Sequence, residues 1–125
     1  MLEFRVVLEK GNAGIYLREH GCNTDISKMM VMCAFDGENI VAAGALSMDI
    51  TAATFEEIAA DDKTLMYAMG KAMLNTLDLG GIKKVLIKNE KLSELAKQLR
   101  FMKTDNGIWS LELEGYFTCG CSHGK

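Results

Sequence analysis

Between Thr64 and Leu79 the apolar residues Leu65, Met66, Met69, Met73, Leu74 and Leu77 recur at spacings of three and four, the period of a helix with one face turned to a core. Asp61 and Asp62 precede this stretch, where carboxylates suit the positive end of a helix dipole, and Gly80-Gly81 follow it, where glycine lets the chain turn away. The flanking segments read as strands. Thr51 to Ala60 is rich in Thr, Phe and Ile, although its Ala and Glu content lets helix compete, and Ile82 to Lys88 carries Val85, Leu86 and Ile87 as a short buried run.

Around this unit the pattern is also regular. Leu2 to Leu8 reads as a first strand, and Asn12 to His20 as a short helix ending near Gly21. The apolar runs Met29 to Phe35 and Ile40 to Met48 flank Asp36-Gly37-Glu38-Asn39, which reads as a hairpin turn. Asn89 can cap a helix containing Leu92, Leu95, Ala96 and Leu99. Asp105-Asn106-Gly107 joins a last antiparallel pair, Phe101 to Thr104 and Ile108 to Leu113. The expected order is β, α, β, β, β, α, β, α, β, β, without repeat or linker. A chain of 125 residues, 49% apolar and 25% charged, suits one soluble domain with one sizeable core.

Charge and cysteine content narrow the partners. The net charge of −3 comes from interleaved acidic and basic residues, with no Lys/Arg cluster to neutralise a row of phosphates, so nucleic acid is not an expected partner. No apolar run reaches the roughly 18 to 20 residues of a membrane helix, and Met1 to Lys10 lack the pattern of a signal peptide, so a cytoplasmic protein without a membrane partner is expected. In that compartment Cys22, Cys33, Cys119 and Cys121 stay thiols, and no disulfide framework is expected.

From Glu38 to Leu113 the order hairpin, strand, long helix, strand, Asn-capped helix and final hairpin resembles the GCN5-related N-acetyltransferase family. Two stretches carry the likeness. Gly70-Lys71-Ala72-Met73-Leu74 is similar to the family's helix after its phosphate loop, and Val85-Leu86-Ile87-Lys88-Asn89 followed by Leu95 through Phe101 is similar to its strand, Asn and Leu-Gly-Phe ending. The resemblance implies an α/β (α+β) fold with a mixed, mainly antiparallel central sheet and helices on both faces. It makes residues 1–114 an acyl-CoA N-acyltransferase domain and 115–125 a tail.

In that family an acyl-CoA enters between two splayed parallel strands, and N–H groups at the start of the long helix hold its diphosphate, as unpaired helix N–H groups hold anions in general. The family's Gln/Arg-x-x-Gly-x-Gly/Ala loop is matched here by Leu65-Met66-Tyr67-Ala68-Met69-Gly70, where Gly70 alone matches outright. The resemblance therefore implies acetyl-CoA as acyl donor, met by Ala60, Met66, Ala68, Met69, Gly70, Lys71 and Asn89. It also implies a Glu base on the preceding strand. Glu56 and Glu57 stand there, and in a regular strand such neighbours point to opposite faces; Glu57 is preferred. The family's thiolate-protonating Tyr falls at Ala96, which has no proton to give, with Tyr67 and Ser93 nearby as other donors. Its Leu-Gly-Phe glycine is Arg100.

The family pattern leaves the tail unexplained. Cys119, Cys121 and His123 alternate, which in an extended chain puts two thiolates and an imidazole on one side and makes a partial site for Zn²⁺ or Cu⁺, with tetrahedral zinc preferred. Cys22, Cys33, His20 or a second chain in a homodimer would supply the fourth ligand. The function expected is transfer of an acyl group to the amine of a small molecule or protein. The alternative is a non-catalytic acyl-CoA-binding or regulatory module, or a metal or redox adaptor acting through the tail.

Overall fold

A computed structural model describes residues 2–117. Among them the chain forms β1 (Leu2–Val7), α1 (Gly11–Glu19), β2 (Met30–Asp36), β3 (Asn39–Met48), β4 (Ala53–Ala60), α2 (Lys63–Leu79), β5 (Lys84–Ile87), a 3₁₀ turn (Glu90–Leu92), α3 (Ser93–Gln98), β6 (Met102–Lys103) and β7 (Trp109–Glu112). The expected order holds throughout. The strands make one sheet in the order β1-β2-β3-β4-β5-β7-β6, antiparallel except for the β4–β5 pair. That pair is parallel because α2 carries the chain back between its two strands, as a parallel connection requires.

The sheet has helices on both faces. Under α2 and α3 lies the larger core, with Phe55, Ile58, Met69, Met73, Leu74, Leu77, Ile87, Leu95 and Leu99. Under α1 lies a smaller one, with Ala13, Tyr16, Leu17, Cys22, Val31, Cys33, Ala43, Ala45 and Ala59. Burial of these side chains, roughly 1.5–3 kcal/mol for each large one, is the main favourable term holding the helices on the sheet. Gly44 on β3 admits α2: a Cβ there would lie 2.4 Å from Met73 Sδ. Tyr116 and Phe117, assigned to the tail from the sequence, pack against the larger core.

Two local irregularities position the site. Beyond the Phe55–Ile87 pairing β4 and β5 part, so the second half of β4 has no strand partner on that side. In the same place the β3–β4 register slips between Ala45 and Leu46, which pair with Glu57 and Phe55 and leave Glu56 unpaired in a β-bulge. The bulge corrects the expectation that Glu56 and Glu57 point to opposite faces. Phe55 and Ile58 both enter the larger core, so the two residues between them both turn toward the α1 side.

Candidate active site

Glu57 is the one buried charged residue among the described residues, 7% exposed. Its neighbours come from both sides of the parted strands. Thr24, in the segment between α1 and β2, donates its hydroxyl to Glu57 Oε2, and Asn89 at the end of β5 donates Nδ2 to Glu57 Oε1 at 3.3 Å. The same Nδ2 lies 3.0 Å from the Glu56 carbonyl oxygen, so Asn89 spans the base of the wedge. Its Oδ1 accepts the Lys91 N–H at 3.0 Å and caps the 3₁₀ turn. Asn89, expected at the donor, thus joins the two sides of the parted strands.

Cys22 and Lys91 complete the group. Burial pushes the Cys22 thiol up to about 11, helped by its hydrogen bond to Glu57 and by that carboxylate's charge and opposed by Lys91. Lys91 Nζ reaches the Gly21 carbonyl at 3.4 Å, tying the end of α1 to the turn after β5. Glu56 is half-buried and accepts from Ser47 Oγ at 2.6 Å. Thr24, being exposed, is the link between Glu57 and solvent. A carboxylate fixed by Thr24, Asn89 and Cys22 beside an opened strand edge can take a proton through the Thr24 hydroxyl.

The residues expected to hold the donor's diphosphate are placed differently. Only Asp61 and Asp62 separate β4 from α2, so Ala68, Met69, Gly70 and Lys71 lie within the helix and not at its start. At that depth their N–H groups belong to the helix's own i→i−4 bonds. Met69 is in the core, and Met66 packs at its edge. A Cβ on Gly70 would lie 2.8 Å from Leu99 Cδ1, so this glycine serves the approach of α3 to α2. Lys71 Nζ sits 5.0 Å above the Tyr116 ring and 5.2 Å above the Phe117 ring. Ala60 remains at the open end of β4, half-buried.

At the start of α2 the Asp62 carboxylate accepts the Leu65 N–H at 2.8 Å, and the Asp62 carbonyl accepts the Met66 N–H at 3.0 Å. Asp61 accepts from Tyr16 at 2.8 Å and lies 4.0 Å from His20 Nε2, while Tyr16 also donates to the Val41 carbonyl. Ala96, at the position of the expected acid, is fully buried. Tyr116 donates its hydroxyl to the Leu99 carbonyl, and burial raises its pKa. Cys119, Cys121 and His123 lie outside the described residues. Among those that are described, no three His, Cys, Asp or Glu side chains come together as a metal site.

The fold agrees with that of solved acetyltransferase structures. The ribosomal-protein-S18-alanine N-acetyltransferase of Escherichia coli superposes over 90% of this chain and 94% of its own, at 14% identity and a TM-score of 0.67. The chain has the fold of the GCN5-related N-acetyltransferases. An N-acetyltransferase from Staphylococcus aureus Mu50 matches 90% of this chain and 98% of its own at 13% identity, TM-score 0.69. A member of the same family from Escherichia coli, solved in complex with CoA, matches 92% and 83% at 16% identity, TM-score 0.64. No protein-family model and no curated protein matches the sequence. Within this acetyltransferase fold, no described helix is long and apolar enough to cross a membrane.

Proposed function

We propose that the chain is an N-acyltransferase that moves an acyl group from a pantetheine thioester, acetyl-CoA being the simplest donor, to a primary amine. The observation that carries this reading is the buried Glu57 carboxylate on the stretch of β4 left unpaired where β5 departs. An unpaired strand edge offers N–H and C=O groups to an extended ligand, and a pantetheine arm has amides to pair with them.

The chemistry places a carbon–nitrogen bond where a carbon–sulfur bond was. The amine nitrogen attacks the thioester carbonyl and loses one proton to Glu57, by way of the Thr24 hydroxyl. The thiolate leaves and recovers one proton from solvent or from Glu57, which restores the carboxylate. Ala96 supplies no acid, and the departing group, a thiolate, is stable enough to leave without one.

The test is thiol release from acetyl-CoA in the presence of a panel of small amines and lysine peptides. Glu57→Gln, whose one oxygen can still accept from Asn89 while its amide nitrogen faces Thr24, is expected to lower turnover roughly 10²-fold and to leave donor affinity nearly unchanged. Equal turnover by the variant would remove Glu57 from the reaction.

A further inference from the structure

The wedge and the helix start that would share one acyl-CoA differ in what they offer it. Resting on the acyl-transfer reading above, we infer that the donor is gripped by its acyl-pantetheine arm alone, with the nucleotide diphosphate held by no part of the α2 start.

The first ground is the connection itself. With β4 ending at Ala60 and α2 starting at Lys63, no loop remains to wrap an anion. The second is that the helix start already has its anion: the Asp62 carboxylate occupies the Leu65 N–H, the position at which a phosphate oxygen would be held. The Asp61 carboxylate stands beside it, engaged by Tyr16 and near His20. A diphosphate brought there would meet two carboxylates, with the exposed Lys63 at the first helical position as an opposing charge. The third is that the next cation along α2, Lys71, is set over the Tyr116 and Phe117 rings, and the glycine before it is covered by Leu95 and Leu99.

By contrast, the features suited to the arm are intact. The β4 edge beyond Phe55 is unpaired, and Glu57 lies on it. Recognition by the arm alone predicts that the nucleotide adds little to affinity, and that removing the carboxylate from the helix start restores an interaction the native sequence refuses.

Amide-resolved NMR titration of the whole chain with acetyl-pantetheine, acetyl-CoA and adenosine 5′-diphosphate tests this. The expected result is that the two thioesters shift the amides of Glu57 to Ala60 with dissociation constants within about threefold of each other, and that the nucleotide diphosphate leaves Lys63 to Leu65 unmoved. Asp62→Asn, which keeps a capping oxygen and removes its charge, is expected to tighten acetyl-CoA and not acetyl-pantetheine. Acetyl-CoA binding more than about thirtyfold tighter than acetyl-pantetheine to the native chain would overturn the inference and leave the acyl-transfer reading standing. No shift at Glu57 to Ala60 with either thioester at millimolar concentration would overturn both.

Discussion

Glu57 was legible in the sequence as a strand carboxylate, and its surroundings were not, because each partner comes from a distant segment. Thr24 stands 33 residues before it and Asn89 32 residues after it, and no local pattern links them. The capping role of Asn89 followed from its place before an apolar helical repeat; its second bond, across the parted strands, needed the sheet. The thiols give a residue-level prediction. Burial raises both Cys22 and Cys33 to about 11, and for Cys22 the Glu57 carboxylate adds to the effect. At pH 8 such a group is thiolate to the extent of roughly one part in 10³. Peptide-resolved iodoacetamide labelling of the folded protein at pH 8 should therefore be roughly 10²-fold slower at both positions than after unfolding. Glu57→Gln should speed Cys22 and leave Cys33 unchanged; equal acceleration of both would indicate general loosening of the fold and not loss of one carboxylate.

Among the elements, all three helices end in the same way, and one ending is strained. Gly21, Gly81 and Arg100 each adopt positive φ, at 85°, 86° and 71°. After each, the next residue's N–H returns to a carbonyl five positions back: Cys22 to Leu17, Ile82 to Leu77 and Phe101 to Ala96. This Schellman ending favours glycine, since a side chain in the left-handed region costs about 1 kcal/mol or more. Arg100 is exposed and carries that cost at the turn between α3 and β6. Arg100→Gly should raise unfolding free energy by about 1 kcal/mol in a urea titration with unchanged slope, the glycine's extra chain entropy offsetting part of the relief. A loss of stability would show that the arginine side chain makes a contact worth more than its backbone strain. The start of α2 was legible from Asp61 and Asp62 ahead of the apolar repeat, and Asp62 caps it by accepting the Leu65 N–H. Gly70, matched in the sequence to the end of a phosphate loop, instead lies inside the helix, where Leu95 and Leu99 pack over it. The bulge at Glu56 was invisible because register is a property of two strands and not of either sequence.

At the scale of the whole molecule, the order of strands and helices was readable because the hydrophobic period changes at each boundary, whereas the seating of β7 between β5 and β6 was not, because that pairing joins distant segments. What the pattern could not give was the division of the interior into two cores of different character. The larger core beneath α2 and α3 is aliphatic and aromatic within, with Tyr116 as a titratable group packed at its edge, whereas the one beneath α1 buries three groups that can lose a proton: Cys22, Cys33 and Tyr16. Tyr16 is raised well above 10.0 by desolvation and by Asp61, and the two thiols are raised from 9.0 to about 11. The native state therefore keeps protons that the unfolded chain gives up above pH 9, and stability must fall as pH rises through that interval. The contribution of the thiols is complete below pH 9 and lost above about 11, with Tyr16 extending the loss to higher pH. Thermal midpoints measured from pH 8 upward should decline steadily through this window. In the Cys22→Ala/Cys33→Ala variant the decline should be shallower, whatever its midpoint at pH 8, and a slope equal to that of the native chain would place the alkaline sensitivity outside the two thiols.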